Sequence, residues 1–350
     1  MRILIISKKH IDQLPGQILI AAAHNGYDAI AVPLAKMVEQ TSPEDTRMLV
    51  TDLIHAFQPD VLLWMNMADF ALDSWLAERI VESAVLHETM IVYFSFDDPQ
   101  RIWYRKSLNL APHPAEVHAD RIATCDWTTS TIEYYTSIND KVRRNPKRIL
   151  FLPPPIPNLP FRRQEFGGVV MFVTNLYEGK PYSDWGALNR RKLIETLLEH
   201  EIEVHVFGPD RLRLPKGVEY HGYLPYHQFG RLLGSVVINT HVTDSPGYLN
   251  ARFFECFGIG AYQITEDKPI IHKLLRDYKN EQFLTDMLRL CERDYESFAL
   301  AAKWIWKNAK ATSIPGKFLE RFSVRQWLRD LVSGKTWLSL DDAIDWRKEL

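Results

Sequence analysis

The sequence predicts an α/β chain made of two parallel-sheet halves, on three observations. Short apolar runs alternate with stretches of helical spacing along most of the chain. One proline-rich segment interrupts that alternation near the middle. A fresh set of alternating runs then begins. In the first half RILII (2–6), DAIAV (28–32), DVLLWM (60–65), MIVYFS (90–95), RIATC (121–125) and RILFL (148–152) read as strands. Residues 15–25, 44–57, 72–86 and 130–138 carry apolar positions at helical spacing between them. Strands that alternate with helices, and that are apolar on both faces, belong to a parallel sheet covered on both sides.

The interruption is PPPIPNLPFRRQEFGG, residues 153–168, whose five prolines and two glycines in sixteen positions oppose regular structure. The restart reads VVMFVT (169–174), a helix over 188–200, IEVHVFG (202–208), VEYHG (218–222) and a short helix at 226–234. SVVIN (235–239), a helix at 249–257, AYQIT (261–265) and a helix near 268–277 follow, and 281–350 reads as helical. The expected domains are therefore 1–155 and 169–320, joined by a linker at 156–168. C-terminal helices over 321–350 are free to cross back to the first domain. Two such halves should enclose a deep interdomain cleft, with ligands at the carboxyl ends of the strands.

Composition narrows the class. A chain of 350 residues with 46% hydrophobic and 25% charged residues is long enough for two ordinary cores. No apolar run reaches the roughly 18 residues of a membrane span, and MRILIISKKH meets charge too early for a secretory signal. Three scattered cysteines fit a reducing compartment better than a disulfide framework, so a cytoplasmic location is expected. A formal net charge of −2 gives no global attraction to nucleic acid or membrane, although a local basic cleft would still be compatible. The chain is expected to be a monomer or dimer.

Several chemistries lack their motifs. The first turn of each half (SKKHIDQLPG and VTNLYEGKPYSDWG) has no GxGxxG, which disfavours a nicotinamide oxidoreductase. GxxxxGK[ST], HExxH and CxxC are all missing. His24, His205, His221 and His241 fall near strand ends and read individually as hydrogen-bonded structural residues, so no metal site is expected.

The unusual stretch is LNARFFECFGIGAYQIT (249–265), an apolar helix and strand that nevertheless carries Arg252 and Glu255 three positions apart, on one helix face. A charge in such a run needs a partner or a ligand. Either these two form an ion pair that caps a buried helix, or they read a bound molecule.

The segments FVTNLY, YHGYL and LNARFFECFGIGA, in that order, resemble the nucleotide-sugar domain of GT-B glycosyltransferases. More narrowly they resemble the CgeB-like group of spore maturation proteins and phage relatives. The resemblance covers the second half well and the first half mainly in topology. It implies a GT-B fold of two Rossmann-like domains and a nucleoside-diphosphate sugar as co-substrate, with UDP-glucose the first choice. No further cofactor is implied, and a divalent metal, if used, would assist product release. It also implies that Glu255 accepts hydrogen bonds from the donor ribose, and that Arg252 meets the diphosphate, aided by its helix N-terminus. Gly247, Asn250 and Asn175 would join the phosphate site, with Arg190 or Arg191 as a clamp. A solvated helix face is the competing reading of the two arginines. Tyr223 and Leu224 would lie near the base, mostly through backbone groups.

In the first half, IVYFSFDDPQRIW (91–103) puts Asp97 and Asp98 after a strand, where a carboxylate could act as general base on an acceptor hydroxyl. An Asx-turn with a helix cap is the alternative. Similar DDP segments occur in CgeB-like proteins, and a phage DNA β-glucosyltransferase places its catalytic aspartate after a comparable strand, matching Asp97. Retaining GT-B enzymes carry a second glutamate eight positions before the ribose glutamate. Gly247 stands there, so inversion is favoured. Arg101, Trp103 and Arg105, with KVRRNPKR (141–148) and FRR (161–163), interleave basic and aromatic residues that could contact double-stranded DNA and an extruded base. Ordinary surface charge, with the whole chain near neutral, is the simpler reading of them. Acceptors therefore range from a hydroxymethylated pyrimidine in phage DNA to a glycan, protein or metabolite. A non-catalytic nucleotide-sugar-binding protein is the rival class.

Overall fold

The computed structural model describes residues 1–7, 14–65, 74–95, 112–159, 166–173, 176–178, 187–209, 213–241, 244–309 and 313–345. The chain divides into two compact units, Met1–Pro155 with Ser323–Leu350, and Ile156–Phe322.

The first unit holds β1 (Arg2–Ser7), β2 (Asp28–Pro33), β3 (Val61–Met65), β4 (Met90–Ser95), β5 (Arg121–Thr124) and β6 (Ile149–Phe151). All pair in parallel, in the order β2-β1-β3-β4-β5-β6. The central strands explain their own sequence. Every residue of β3 is buried, as expected for a strand covered on both faces and therefore continuously apolar. The helix Val324–Ser333 belongs to this unit. Its Trp327 indole donates to the Leu152 carbonyl at 3.3 Å and meets the Phe94 ring edge-on, while Arg325 and Arg329 both donate to the Asn25 side chain. Further along, Ile344 bridges to Thr128.

The second unit holds β7 (Val169–Phe172), β8 (Val204–Phe207), β9 (Glu219–Tyr220), β10 (Val236–Asn239), β11 (Tyr262–Glu266) and β12 (Leu288–Cys291). Its parallel sheet runs β9-β8-β7-β10-β11-β12, the doubly wound order in which the chain first winds one way from β7 and then returns to wind the other way. Alternate side chains of each strand feed two cores. Val169, Met171, Val204, Val206, Val236 and Ile238 pack on one face with Leu193, Leu197, Phe298 and Ala302. Val170, Phe207 and Val237 pack on the other with Phe229, Cys256 and Ile259.

One sequence expectation changes here. Residues 281–350 are not wholly helical, because Leu288–Cys291 adds β12 in parallel to β11. Four residues between helical segments are too few for their alternation to stand out. The segment expected as a linker is counted with the second unit from Ile156 onward. There the Ile156 N–H donates to the Phe322 carbonyl at 2.7 Å, and Leu159 joins the second core.

Candidate functional site

In a doubly wound sheet the strand ends separate at the point where the winding reverses, here between β7 and β10. Arg190 lies at that point. It is the first residue of the helix Arg190–Glu199, whose N-cap Asn189 accepts from Lys192 N–H. Its backbone N–H donates to the Leu176 carbonyl just beyond β7, and its side chain reaches the end of β10. There Nε donates to Thr240 Oγ1 at 2.8 Å and Nη2 to the Thr240 carbonyl at 3.3 Å. The guanidinium sits 4.5 Å above the Tyr177 ring and is buried, so the side chain is a fixed cation rather than a surface arm. Tyr177 itself adopts φ 54°, a left-handed conformation uncommon outside glycine. Arg191 turns away, ion-pairing with Glu178 and donating to the Arg213 carbonyl.

The helix Ala251–Ile259 holds the second cluster. Asn250 caps it, its side-chain oxygen accepting from Phe253 N–H at 3.1 Å. The same carboxamide exchanges hydrogen bonds with Asn239 at 3.1 and 2.8 Å and donates to the Thr240 carbonyl. Asn239 in turn donates to Gln263. The Asn250 side chain thus has both acceptor sites and both donors engaged, and it anchors the helix to β10. The helix ends at Gly260, whose φ of 67° gives the left-handed cap that turns the chain into β11.

Arg252 and Glu255 do pair within the chain, with Nη1 2.6 Å from Oε2. The approach is close but misaligned, and neither of these buried atoms has a hydrogen-bond partner among the described residues. Glu255 is only 4% exposed. Its other oxygen accepts from the Tyr226 hydroxyl at 2.5 Å, delivered by the 3₁₀ turn Tyr226–Leu232. Burial first, and then the Glu255 carboxylate, hold that hydroxyl well above its ordinary range, so it remains a donor. Arg252 lies flat against Phe172 at 3.7 Å and near Phe229 at 4.9 Å. A carboxylate with one strong donor and an arginine shelved on aromatic rings make a preformed, partly satisfied polar site.

A third group adjoins the end of β10. His241 is fully buried, and neither ring nitrogen has a hydrogen-bond partner among the described residues. Burial, then Lys268, Arg293 and Arg190, drive its pKa well below 6.5, so the ring is neutral. Its backbone N–H donates to the buried Glu266, which is also 3.3 Å from Arg293. Lys268 is buried too, and its Nζ donates to the Ser245 carbonyl at 2.8 Å. Lys268 and Arg190 are thus buried cations around the neutral His241, and the buried Glu266 carboxylate offsets part of their charge.

The sequence-predicted residues therefore divide. Arg190 and Asn250 meet through Thr240, while Arg252 and Glu255 meet each other. Gly247 lies buried in the turn before the helix, Leu224 is buried in the second core, and Tyr223 is 58% exposed. Asn175, Asp97, Asp98, Arg101, Trp103 and Arg105 lie outside the described residues. Sequence reading missed Tyr226, His241, Glu266 and Lys268 as site members. The available signals were a tyrosine inside HGYLPYHQF and charges closely following the strand AYQIT.

Residues 190–314 match the family model described as "Glycosyl transferase-like". No curated protein matches the sequence. Among solved structures, the apo form of the lipopolysaccharide outer core galactosyltransferase WaaB is similar over 95% of this chain and 99% of its own, with a TM-score of 0.50 and 11% identity. LpCGTa in complex with UDP (TM-score 0.42, 11% identity) covers 95% and 98%, and UDP-N-acetylglucosamine 2-epimerase from Rickettsia bellii (0.46, 10%) covers 95% and 96%. The chain has the GT-B fold, and its residues 190–314 are similar to the glycosyl transferase-like family. The matched residues include the charged members of all three clusters, from Arg190 to Arg293, while Phe172 and Tyr177 precede them. No helix among the described residues is long and apolar enough to cross a membrane.

Proposed function

We propose that the protein is a glycosyltransferase that moves a sugar from a nucleoside-diphosphate donor, UDP-linked, to an acceptor hydroxyl. One observation carries the reading. Within the residues similar to the glycosyl transferase-like family, Arg252 Nη1 and Glu255 Oε2 are buried, ion-paired at 2.6 Å, and without a hydrogen-bond partner among the described residues. A ribose diol offers two O–H donors to such a carboxylate, and a diphosphate offers acceptors to the guanidinium. Arg190, Lys268 and the N-terminal turn of the helix Ala251–Ile259 are the further positive groups for the diphosphate.

The reaction needs a base and a stabilised leaving group. Asp97, two residues after β4 in the sequence, takes the acceptor proton as the acceptor oxygen bonds to the anomeric carbon. The bond from that carbon to the diphosphate oxygen breaks, and the diphosphate leaves carrying the electron pair. Asp98 is the alternative base. With Gly247 in the place of a second glutamate, a single displacement with inversion is the favoured course. The order of FVTNLY, YHGYL and LNARFFE supports the CgeB-like group. The basic and aromatic residues Arg101, Trp103 and Arg105 make hydroxymethylated duplex DNA the first acceptor to try.

The test is Asp97→Asn assayed for transfer and for UDP binding separately. Loss of transfer by about 10²-fold or more, with the UDP dissociation constant unchanged, is expected. Full transfer by this variant and by Asp98→Asn would remove the base assignment.

A further inference from the structure

We propose that His205, Glu219 and His221 hold a divalent transition-metal ion of the zinc class at the edge of the second sheet, with His221 two residues before Tyr223 in the sequence. Sequence reading treated the two histidines as separate structural residues, and their convergence follows from strand register. His205 on β8 pairs across the sheet with Glu219 on β9, and His221 follows β9 at once. Their ligand atoms gather closely. His205 Nδ1 lies 3.0 Å from His221 Nε2 and 3.1 Å from Glu219 Oε2, and the last two atoms are 3.8 Å apart.

Those distances have a simple geometric meaning. A tetrahedral ion with bonds of about 2.0–2.1 Å has ligand–ligand edges of about 3.3–3.4 Å, and the three separations straddle that value. Two imidazoles and one carboxylate form a donor set suited to zinc, with a fourth position for water. The exposed Glu219 and partly exposed His221 leave that position open to solvent.

The surroundings favour ligand geometry. Phe166 packs against both imidazoles at 4.9 and 5.6 Å, and Phe207 stacks on His221 at 4.9 Å, which fixes the ring planes. His205 is 4% exposed, and its far nitrogen, Nε2, is buried with no hydrogen-bond partner among the described residues. Glu203 Oε1 stands 3.4 Å from that nitrogen, the place of an outer carboxylate that orients a metal-bound histidine. Without an ion, one proton has to sit between His205 Nδ1 and His221 Nε2. A metal replaces that proton and takes both lone pairs. An ion here would fasten β9, a strand of two residues, to β8.

The experiment uses the full chain, stripped with a chelator and dialysed. Zn²⁺ alone is titrated by calorimetry, and Co²⁺ alone by visible absorption. One equivalent should bind, cobalt should give the intense bands of a tetrahedral site, and Zn²⁺ should raise the melting temperature. Because His205 is buried, Glu219→Gln and His221→Asn carry the test, with circular dichroism to verify folding. Each should weaken Zn²⁺ binding by about tenfold or more and remove the thermal shift. Absence of a stoichiometric site in the unsubstituted protein overturns the proposal. So does binding that both variants leave unchanged, since the ion would then reside elsewhere.

Discussion

Replacing Glu255 with glutamine separates a ligand-reading carboxylate from one that serves only its own helix. The substitution keeps the shape and removes the charge. Two internal contacts weaken: the Tyr226 hydroxyl loses an ionised acceptor at 2.5 Å, and Arg252 loses the charge 2.6 Å away. Breaking a fully buried pair costs about 3–5 kcal/mol. Arg252 keeps some solvent contact and its shelf on Phe172, so a loss of about 1–3 kcal/mol is expected. Both readings share that loss. They differ in ligand binding. Ribose hydroxyls donating to the carboxylate contribute about 1.5–3 kcal/mol, which is roughly 10- to 100-fold in the dissociation constant of UDP. The assay is calorimetric binding of UDP and 2′-deoxy-UDP to both proteins. The unsubstituted protein should prefer UDP by about tenfold, and Glu255→Gln should bind both weakly with little preference. An undiminished UDP affinity in a destabilised Glu255→Gln protein would mean that Glu255 and Arg252 only brace the helix.

Tyr226→Phe removes the one strong donor to Glu255 Oε1 and should cost about 1–2 kcal/mol in denaturant unfolding, with a severalfold weaker UDP affinity. Burial pushes the thiols of Cys256 and Cys291 up to about 12, whereas unfolded thiols ionise near pH 9. Stability should therefore fall above about pH 9, through about pH 12, by roughly 1.4 kcal/mol per pH unit for each thiol. Replacing Cys256 with alanine should remove its share of that slope. At the acid end, His241 stays neutral in the fold while its unfolded form protonates near pH 6.5. Stability should fall as pH drops below that value, and His241→Gln should flatten this limb in pH-dependent unfolding curves.

Much of this molecule was readable from local pattern. The runs VVMF, VHVF and VVIN became β7, β8 and β10 because alternate residues feed two opposite cores, a property visible in the residues themselves. Arg252 and Glu255 drew attention because two charges in an apolar helix demand an explanation. What stayed hidden depends on distance across the fold. Tyr226 reaches Glu255 from 29 positions away, and His205 meets Glu219 only through the β8–β9 register. Asn250 was readable as a residue before a helix, but its engagement by Asn239 and Thr240 depends on where β10 ends. Arg190 and Arg191 look alike in sequence, yet the first helical turn sends one inward to Thr240 and the other outward to Glu178.

The most direct test of the proposed function is nucleotide release from a panel of UDP-sugars, with and without duplex DNA containing hydroxymethylcytosine. Release of UDP from at least one sugar, lost in Glu255→Gln, is expected. If hydroxymethylated DNA accelerates release and gains the mass of the sugar, the acceptor is the modified base. Slow release indifferent to DNA keeps the donor site and transfers the acceptor role to a glycan, protein or metabolite. No release from any sugar, together with no measurable UDP binding, would contradict the assignment of Glu255 and Arg252 to a nucleotide-sugar donor.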